Sequence, residues 1–290
     1  MIDLHAHVLP GIDDGAPDID AALTMCELAE RDGTERLVAA FHLLYGGGVN
    51  DAEMVGETLS RLQGEAARRG IRVQLSAASE VPVIEDLVAR LNAGQITCLD
   101  PVGRYMLLES PHLGELGDAL CSTVAELRGC GVTPVITHPE LSACFRADAS
   151  LSDRVIAEGA LMQVTARSLT HALAGECGET LARLMERGHI HAIASDGHDV
   201  IHRPPVLSVA YHACASAFGS SCADLLFDEN PRLILSSQPV RSPGPLAVKG
   251  GGVFGRWTGS SLREWVRAVM RSHHTHPTHT KGVSRSAAKR

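Results

Sequence analysis

The feature that most constrains the fold is an alternation. Seven short apolar runs, at 2–7, 36–41, 73–78, 105–109, 132–137, 160–164 and 191–195, are separated by longer stretches. Several of those stretches, at 19–31, 52–69, 116–128, 151–158 and 179–187, carry apolar residues at helical spacing. Gly33, Gly70, Gly131, Gly159 and Gly188 each follow one of them, as helix-stop residues do. Repeated strand–helix order implies a parallel sheet with helices outside it. The chain therefore reads as α/β, and seven strands fit a distorted (β/α)7-type barrel better than an open sheet.

Composition removes several functions. Aromatic residues make up 3% of the 290, too few for the stacking platforms that hold single-stranded nucleic acid. A net charge of −8 argues against general nucleic-acid binding. That charge is uneven, because from Ser236 onward there are ten Lys/Arg and one Asp/Glu. The composition changes there too, with a Pro/Gly/Ser-rich linker at 237–255. The expected organisation is an α/β body over 1–235 and a basic, largely disordered tail over 236–290. Leu262, Trp265, Val266, Val269 and Met270 suggest an amphipathic helix at 261–271, through which alone a membrane contact would arise. No apolar run approaches the roughly 20 residues that cross a bilayer. Asp3, His5 and His7 interrupt any signal peptide, and the eight cysteines include no Cys-x-x-Cys. Buried free thiols in a reducing cytoplasm are the expectation.

Placed on this strand map, the unusual polar residues all fall at C-terminal strand ends. His5 and His7 end the first strand, His42 follows the second, and Glu80 follows the third. Glu109 ends the fourth, His138 follows the fifth, and Asp196 and His198 follow the last. In a parallel barrel those ends converge on the face where active sites form. Residues i and i+2 of a strand point to one side, so the imidazoles of His5 and His7 can reach one ion. Imidazole with carboxylate suits zinc, manganese or iron rather than calcium or magnesium alone. With Asp14 added there are nine candidate ligands, enough for two or three ions. Asp13 reads as a turn residue. A cysteine-dependent phosphatase is disfavoured, since Cys26, Cys121, Cys144 and Cys222 each meet their next arginine at the wrong distance for Cys-x5-Arg.

The stretch DLHAHVLPGIDDG resembles the first motif of the PHP (polymerase and histidinol phosphatase) superfamily. More narrowly, it is similar to the manganese-dependent bacterial tyrosine-protein phosphatases of capsule and exopolysaccharide operons, the CpsB/YwqE group. The similarity extends over about residues 1–235, through FH, ASE, RYMLLE, GVTPVITHPE, HAIASDGH with HRPP, and ENPRLIL. It implies a PHP-type barrel and three ions, manganese first, with iron, zinc or magnesium as alternatives. His5, His7, Glu80 and Asp196 would bind one ion; Glu80, Glu109 and His138 a second; Asp14, His42 and His198 the third. Arg203 would face phosphate. The implied activity is hydrolysis of phosphotyrosine on a bacterial tyrosine autokinase that controls polysaccharide synthesis, in an enzyme able to form homo-oligomers. Two alternatives stand beside it: a histidinol-phosphatase-like phosphomonoesterase, and a weakly active metal-binding regulator.

The sequence departs from the group in two places. Ala40-Phe41-His42 stands where the group has Thr-Pro-His, and Leu141 stands where it has an arginine thought to hold phosphate. Leucine cannot match phosphate as a guanidinium does, so weakened activity is expected. Arg146 is the nearby candidate to replace it, and Leu43–Asn50 reads as a mobile loop.

Overall fold

The computed structural model describes residues 1–110, 116–170 and 176–246. Seven parallel strands form one sheet: β1 (Ile2–Ala6), β2 (Arg36–His42), β5 (Gln74–Val81), β6 (Tyr105–Glu109), β7 (Thr133–Thr137), β8 (Leu161–Thr165) and β9 (Ala192–Ala194), in that spatial order. β3 (Leu44–Tyr45) and β4 (Gly48–Val49) pair separately as a small antiparallel hairpin. The sheet curls until its ends meet. Asp196 N–H donates to the His5 carbonyl at 2.8 Å, and His7 N–H donates to the Gly197 carbonyl at 2.7 Å. The Asp3 carboxylate also accepts from Ser195 N–H at 3.0 Å. The result is a nearly closed barrel.

All seven sequence-predicted strands are present, with one shift that matters. β5 runs on to Val81, so Glu80 lies within the strand and is paired with His42 on one side and Leu107 on the other. Helices Ile19–Arg31, Ala52–Arg68, Gly117–Gly129, Leu151–Ala157 and Glu176–Arg187 match the expected segments closely. The first two start on aspartates, Asp18 and Asp51, whose carboxylates accept Ala21 N–H and Met54 N–H.

Two apolar layers build the barrel. Leu37, Ala39 and Phe41 of β2 face outward onto Leu23, Cys26 and Leu62 of the surrounding helices. Val38 and Ala40 face inward with Leu4, Ala78, Leu107, Val135 and Ala194. Those inward residues continue upward, in strand alternation, to His42, Glu80, Glu109, Thr137 and Asp196. Beneath His42, Glu80 and Asp196 the inward residue is alanine each time, which leaves volume under the polar cluster.

The chain does not leave the body at Ser236. Tyr105 O–H donates to the Gln238 carbonyl at 2.7 Å, and Asn230 Nδ2 donates to the Arg241 carbonyl at 2.8 Å. Leu246 is buried, with its N–H on the Met185 carbonyl. The first residues of the expected linker are thus laid against the barrel, and the helix expected at 261–271 lies outside the described residues. All eight cysteines are free thiols, but only Cys26, Cys144 and Cys214 are buried. Among the described residues no helix is long and apolar enough to cross a membrane.

Candidate metal centre

The first strand carries a device that the sequence does not show. Ile2 pairs with Arg36 and Asp3 with Leu37, yet Ala6 pairs with Ala39, so β1 holds one extra residue between Asp3 and Ala6. Such a bulge inverts the facing of everything after it. Ile2 and Leu4 point into the barrel before it; Ala6 points out after it. His5 and His7 are thereby aimed inward at the C-terminal mouth, both fully buried.

There they meet the other candidates. His5 Nε2 and His7 Nε2 are 3.0 Å apart. Glu80 Oε2 lies 3.3 Å from His5 Nε2, 3.5 Å from His7 Nε2 and 3.3 Å from His42 Nδ1. Asp196 Oδ1 is 3.7 Å from His5 Nε2. Glu80 Oε1 is 3.1 Å from His138 Nε2, and Glu109 Oε2 is 3.9 Å from His42 Nδ1. Asp14 Oδ1 sits 3.3 Å from His42 Nε2 and 3.6 Å from His198 Nε2. All nine candidates therefore converge. Ligand atoms of His7, Asp14, His42 and His198, and separately of His5, His7 and Asp196, lie within 4.8 Å of one another and could hold an ion. His7 belongs to both groups.

The outer atoms of these rings fix their tautomers. His7 donates Nδ1–H to Asp13 Oδ2 at 2.7 Å, and His5 Nδ1 faces Gln163 Oε1 at 3.1 Å. With both Nδ1 atoms committed to acceptors, the two Nε2 lone pairs point at each other. A proton or a cation must lie between them. The protein's own groups would do this with protons. Burial pulls His7 down, but hydrogen bonds and charge from Asp13 and Glu80 outweigh it and hold the imidazole at about 10. Burial raises Glu80, yet His5, His138 and His7 outweigh it and keep the carboxylate well below its usual range. His198, by contrast, is pushed down to about 4 by burial and the neighbouring His7. Glu80 Oε2 is buried and accepts no hydrogen bond that meets normal geometry. An acceptor surrounded by three imidazoles, with Thr137 O–H occupying its other oxygen at 2.7 Å, fits a cation-binding carboxylate.

Asp13 is the residue that the sequence understates. It does close the turn, accepting Gly15 N–H at 3.0 Å. Its other oxygen holds His7 and the His42 N–H, tying the first two strands' histidines together. Gly15 is needed because a Cβ there would stand 2.1 Å from the His7 carbonyl oxygen. Gln163 and Thr137 were also absent from the expected set; each is a polar residue facing inward on an apolar strand.

Two members of the cluster pay a backbone cost. His138 and Asp196 have φ of 36° and 54°, two of three non-glycine residues at positive φ among the described residues. Asp196 is kept below the usual carboxylate range, burial being outweighed by His5, His138 and Arg203. Arg203 Nη2 donates to Asp196 Oδ2 at 2.6 Å, and the guanidinium lines the cavity of about 230 Å³ bounded by the cluster. Leu141 lines the same cavity and is 40% exposed. Arg146 does not line it and donates instead to the Leu141 carbonyl at 2.6 Å. The 43–50 segment is not an open loop. Gly46 and Gly47 have φ of 58° and 83°, the pair of positive values that closes a two-residue hairpin. Its Tyr45 ring stacks on His42, centroids 6.3 Å apart.

Cys98–Arg104 and Cys177–Arg183 do have Cys-x5-Arg spacing, and the structure disposes of both. Burial, with Asp100 nearby, pushes the Cys98 thiol up to about 11, and Arg104 is turned to the Ser237 carbonyl. Cys177 and Arg183 lie in one helix, and the Arg183 guanidinium is committed to the Phe145 carbonyl at 3.0 Å and the Thr180 hydroxyl at 2.9 Å.

A parallel barrel that gathers imidazoles and carboxylates at its C-terminal mouth belongs to the metal-centre class of α/β proteins. More specifically, the chain belongs to the capsular polysaccharide synthesis family CpsB/CapC, whose profile matches residues 1–236. It is similar to the tyrosine-protein phosphatase YwqE of Bacillus subtilis, 30% identical over 257 residues, covering 88% of this chain and 99% of that protein. It is similar also to the putative tyrosine-protein phosphatase CapC of Staphylococcus aureus, 27% identical over 212 residues, covering 73% and 82% of the two chains. Among solved structures it matches one from the crystal structures of YwqE from Bacillus subtilis and CpsB from Streptococcus pneumoniae, described as unique metal-dependent tyrosine phosphatases. That match has a TM-score of 0.77 and 28% identity, covering 86% of this chain and 100% of the other.

Proposed function

We propose that the chain is a metal-dependent protein-tyrosine phosphatase acting on a bacterial tyrosine autokinase of capsule or exopolysaccharide synthesis. Phosphotyrosine hydrolysis is the activity of its relatives, and the observation that carries it here is the convergence of five imidazoles and three further carboxylates about the buried Glu80. The finer assignment is of the PHP type, with three manganese ions in a cytoplasmic enzyme. His5, His7, Glu80 and Asp196 take the first ion; Glu80, Glu109 and His138 the second; Asp14, His42 and His198 the third. The short distances within the first and third sets, and the 3.1 Å between Glu80 and His138 of the second, support this division; His7 also lies close to the third set, and Glu109 Oε2 is 3.9 Å from His42 of that set.

Divalent ions in such a site neutralise phosphoryl oxygens and supply a water that ionises near neutral pH. The protein's residues do the rest. Asp13 and Gln163 keep the Nε2 atoms of His7 and His5 turned inward. Thr137 holds Glu80, and Arg203 holds Asp196 while presenting its remaining donors to the cavity that would take the phosphate. Leu141 adds no charge there. The leaving phenolate has a pKa near 10, so it departs more readily than an alkoxide, and no dedicated acid need be named.

The phosphatase is separated from a histidinol-phosphatase-like enzyme by rate on two substrates. Manganese-loaded protein should hydrolyse a phosphotyrosine peptide well above an alkyl phosphate such as histidinol phosphate. Equal or reversed rates would remove the tyrosine reading. No turnover of either would leave the metal-binding regulator.

A further inference from the structure

Beside the ligand cavity lies a larger one of about 550 Å³. The two share Leu141, Asp196 and Arg203, so the larger begins at the edge of the phosphate position. Its walls are mainly apolar: Leu141, Ala166, Val206, Val209 and Ala210. Both sides are built rigidly. Buried Glu140 accepts Thr165 N–H at 2.9 Å, Thr165 O–H at 3.1 Å and Ser168 O–H at 2.7 Å, fixing the turn that carries Ala166. Opposite, Asp32 accepts Leu207 N–H at 2.7 Å and Ser208 N–H at 2.8 Å, fixing the start of the helix that carries Val209 and Ala210.

One aromatic ring does not account for this space. About 150 Å³ suffices to bind benzene, whereas pockets of about 300–1,000 Å³ take larger ligands. Arg167, Asp196, His202 and Arg203 also line it, but a charged group set against Leu141, Ala166, Val206, Val209 and Ala210 would lose hydration there. We propose that the pocket receives an apolar side chain flanking the phosphotyrosine of the substrate, and so sets a sequence preference. This rests on the phosphotyrosine reading above. The pocket joins the phosphate cavity directly, so a residue next to the modified tyrosine is within reach of it. Glu140 and Asp32 act as positioning residues that keep its walls apart before substrate arrives.

The test uses full-length, manganese-loaded protein and four phosphotyrosine peptides that differ only in having Leu, Ser, Asp or Lys on both flanks. The expected kcat/KM for the Leu peptide exceeds that for the Ser peptide by about ten-fold or more, mainly through KM. Non-hydrolysable phosphonate versions should follow the same order in Kd, measured by calorimetry. Val209→Trp, which fills the pocket from its exposed edge, should bring the Leu/Ser ratio close to one. Equal rates on Leu and Ser peptides, or a Leu preference that survives Val209→Trp, overturns the pocket's role while leaving the phosphatase intact. A preference for Asp over Leu overturns it too, and assigns recognition to Arg167 on the rim. Failure to bind or hydrolyse any of the four removes the phosphotyrosine reading itself.

Discussion

The floor and the rim of the metal centre are built differently. On the floor, His5, His7 and Glu80 are fully buried, stand on a strand or just past its end, and are each held by a second polar side chain, Gln163, Asp13 or Thr137. On the rim, Asp14 and His42 are partly exposed, and the neighbouring surface is the 44–49 hairpin, Leu141 and Arg203. Both departures from the CpsB/YwqE pattern noted in the sequence, Ala40-Phe41 and Leu141, flank rim residues. Backbone register and paired acceptors constrain the floor, so little can change there without losing the site. The rim faces substrate and is free to vary with it.

The comparison can be broken in stages. Removing a floor ligand should have the largest effect: His5→Ala is expected to lower phosphotyrosine turnover by at least about 10³-fold, measured at saturating manganese. Asp13→Ala leaves every candidate ligand in place but frees the His7 ring. It should cost about 10–100-fold in metal affinity or activity, read by manganese titration, with Asp13→Asn recovering part. A result no larger than that of an exposed aspartate would return Asp13 to a mere turn residue. On the rim, Leu141→Arg should raise kcat/KM for phosphotyrosine by about ten-fold, by adding a charge-assisted contact to phosphate. An unchanged rate would show that Arg203 and the ions already suffice. The smallest effect belongs to the basic tail. Truncation after residue 246 should leave hydrolysis unchanged. Truncation after 237 removes the Gln238, Arg241 and Leu246 contacts and should cost about 2–4 kcal/mol in urea unfolding.

Much of the floor was legible in the sequence. Apolar runs bounded by Gly33, Gly70, Gly131, Gly159 and Gly188 place the strands, and the strand ends place the nine candidates. The β1 bulge was not legible, because an extra residue leaves no mark in an apolar run; it shows only as a slipped partner at Ala6. Helices such as Leu87–Asn92 and Ala143–Ala147 span too few turns to show a period. Asp13 follows a Pro-Gly turn, and a turn role accounts for it fully until His7 is seen six residues away on the same carboxylate. Gln163, the polar residue in LMQVT facing the interior, was the available signal for a residue that orients a ligand. The two-glycine hairpin at 46–47 was likewise readable, since paired glycines between short strands favour that turn.

The central claim is that the nine-residue cluster, floor and rim together, holds the divalent ions that drive phosphotyrosine hydrolysis. Its most direct test is metal content and turnover measured together on the full-length chain, before and after chelation and manganese re-addition. The account predicts about three ions per chain, in keeping with the known two- and multi-ion chemistry of phosphoryl transfer, with turnover lost on stripping and restored with the metal. A stripped chain that hydrolyses phosphotyrosine as fast as the loaded one would contradict it.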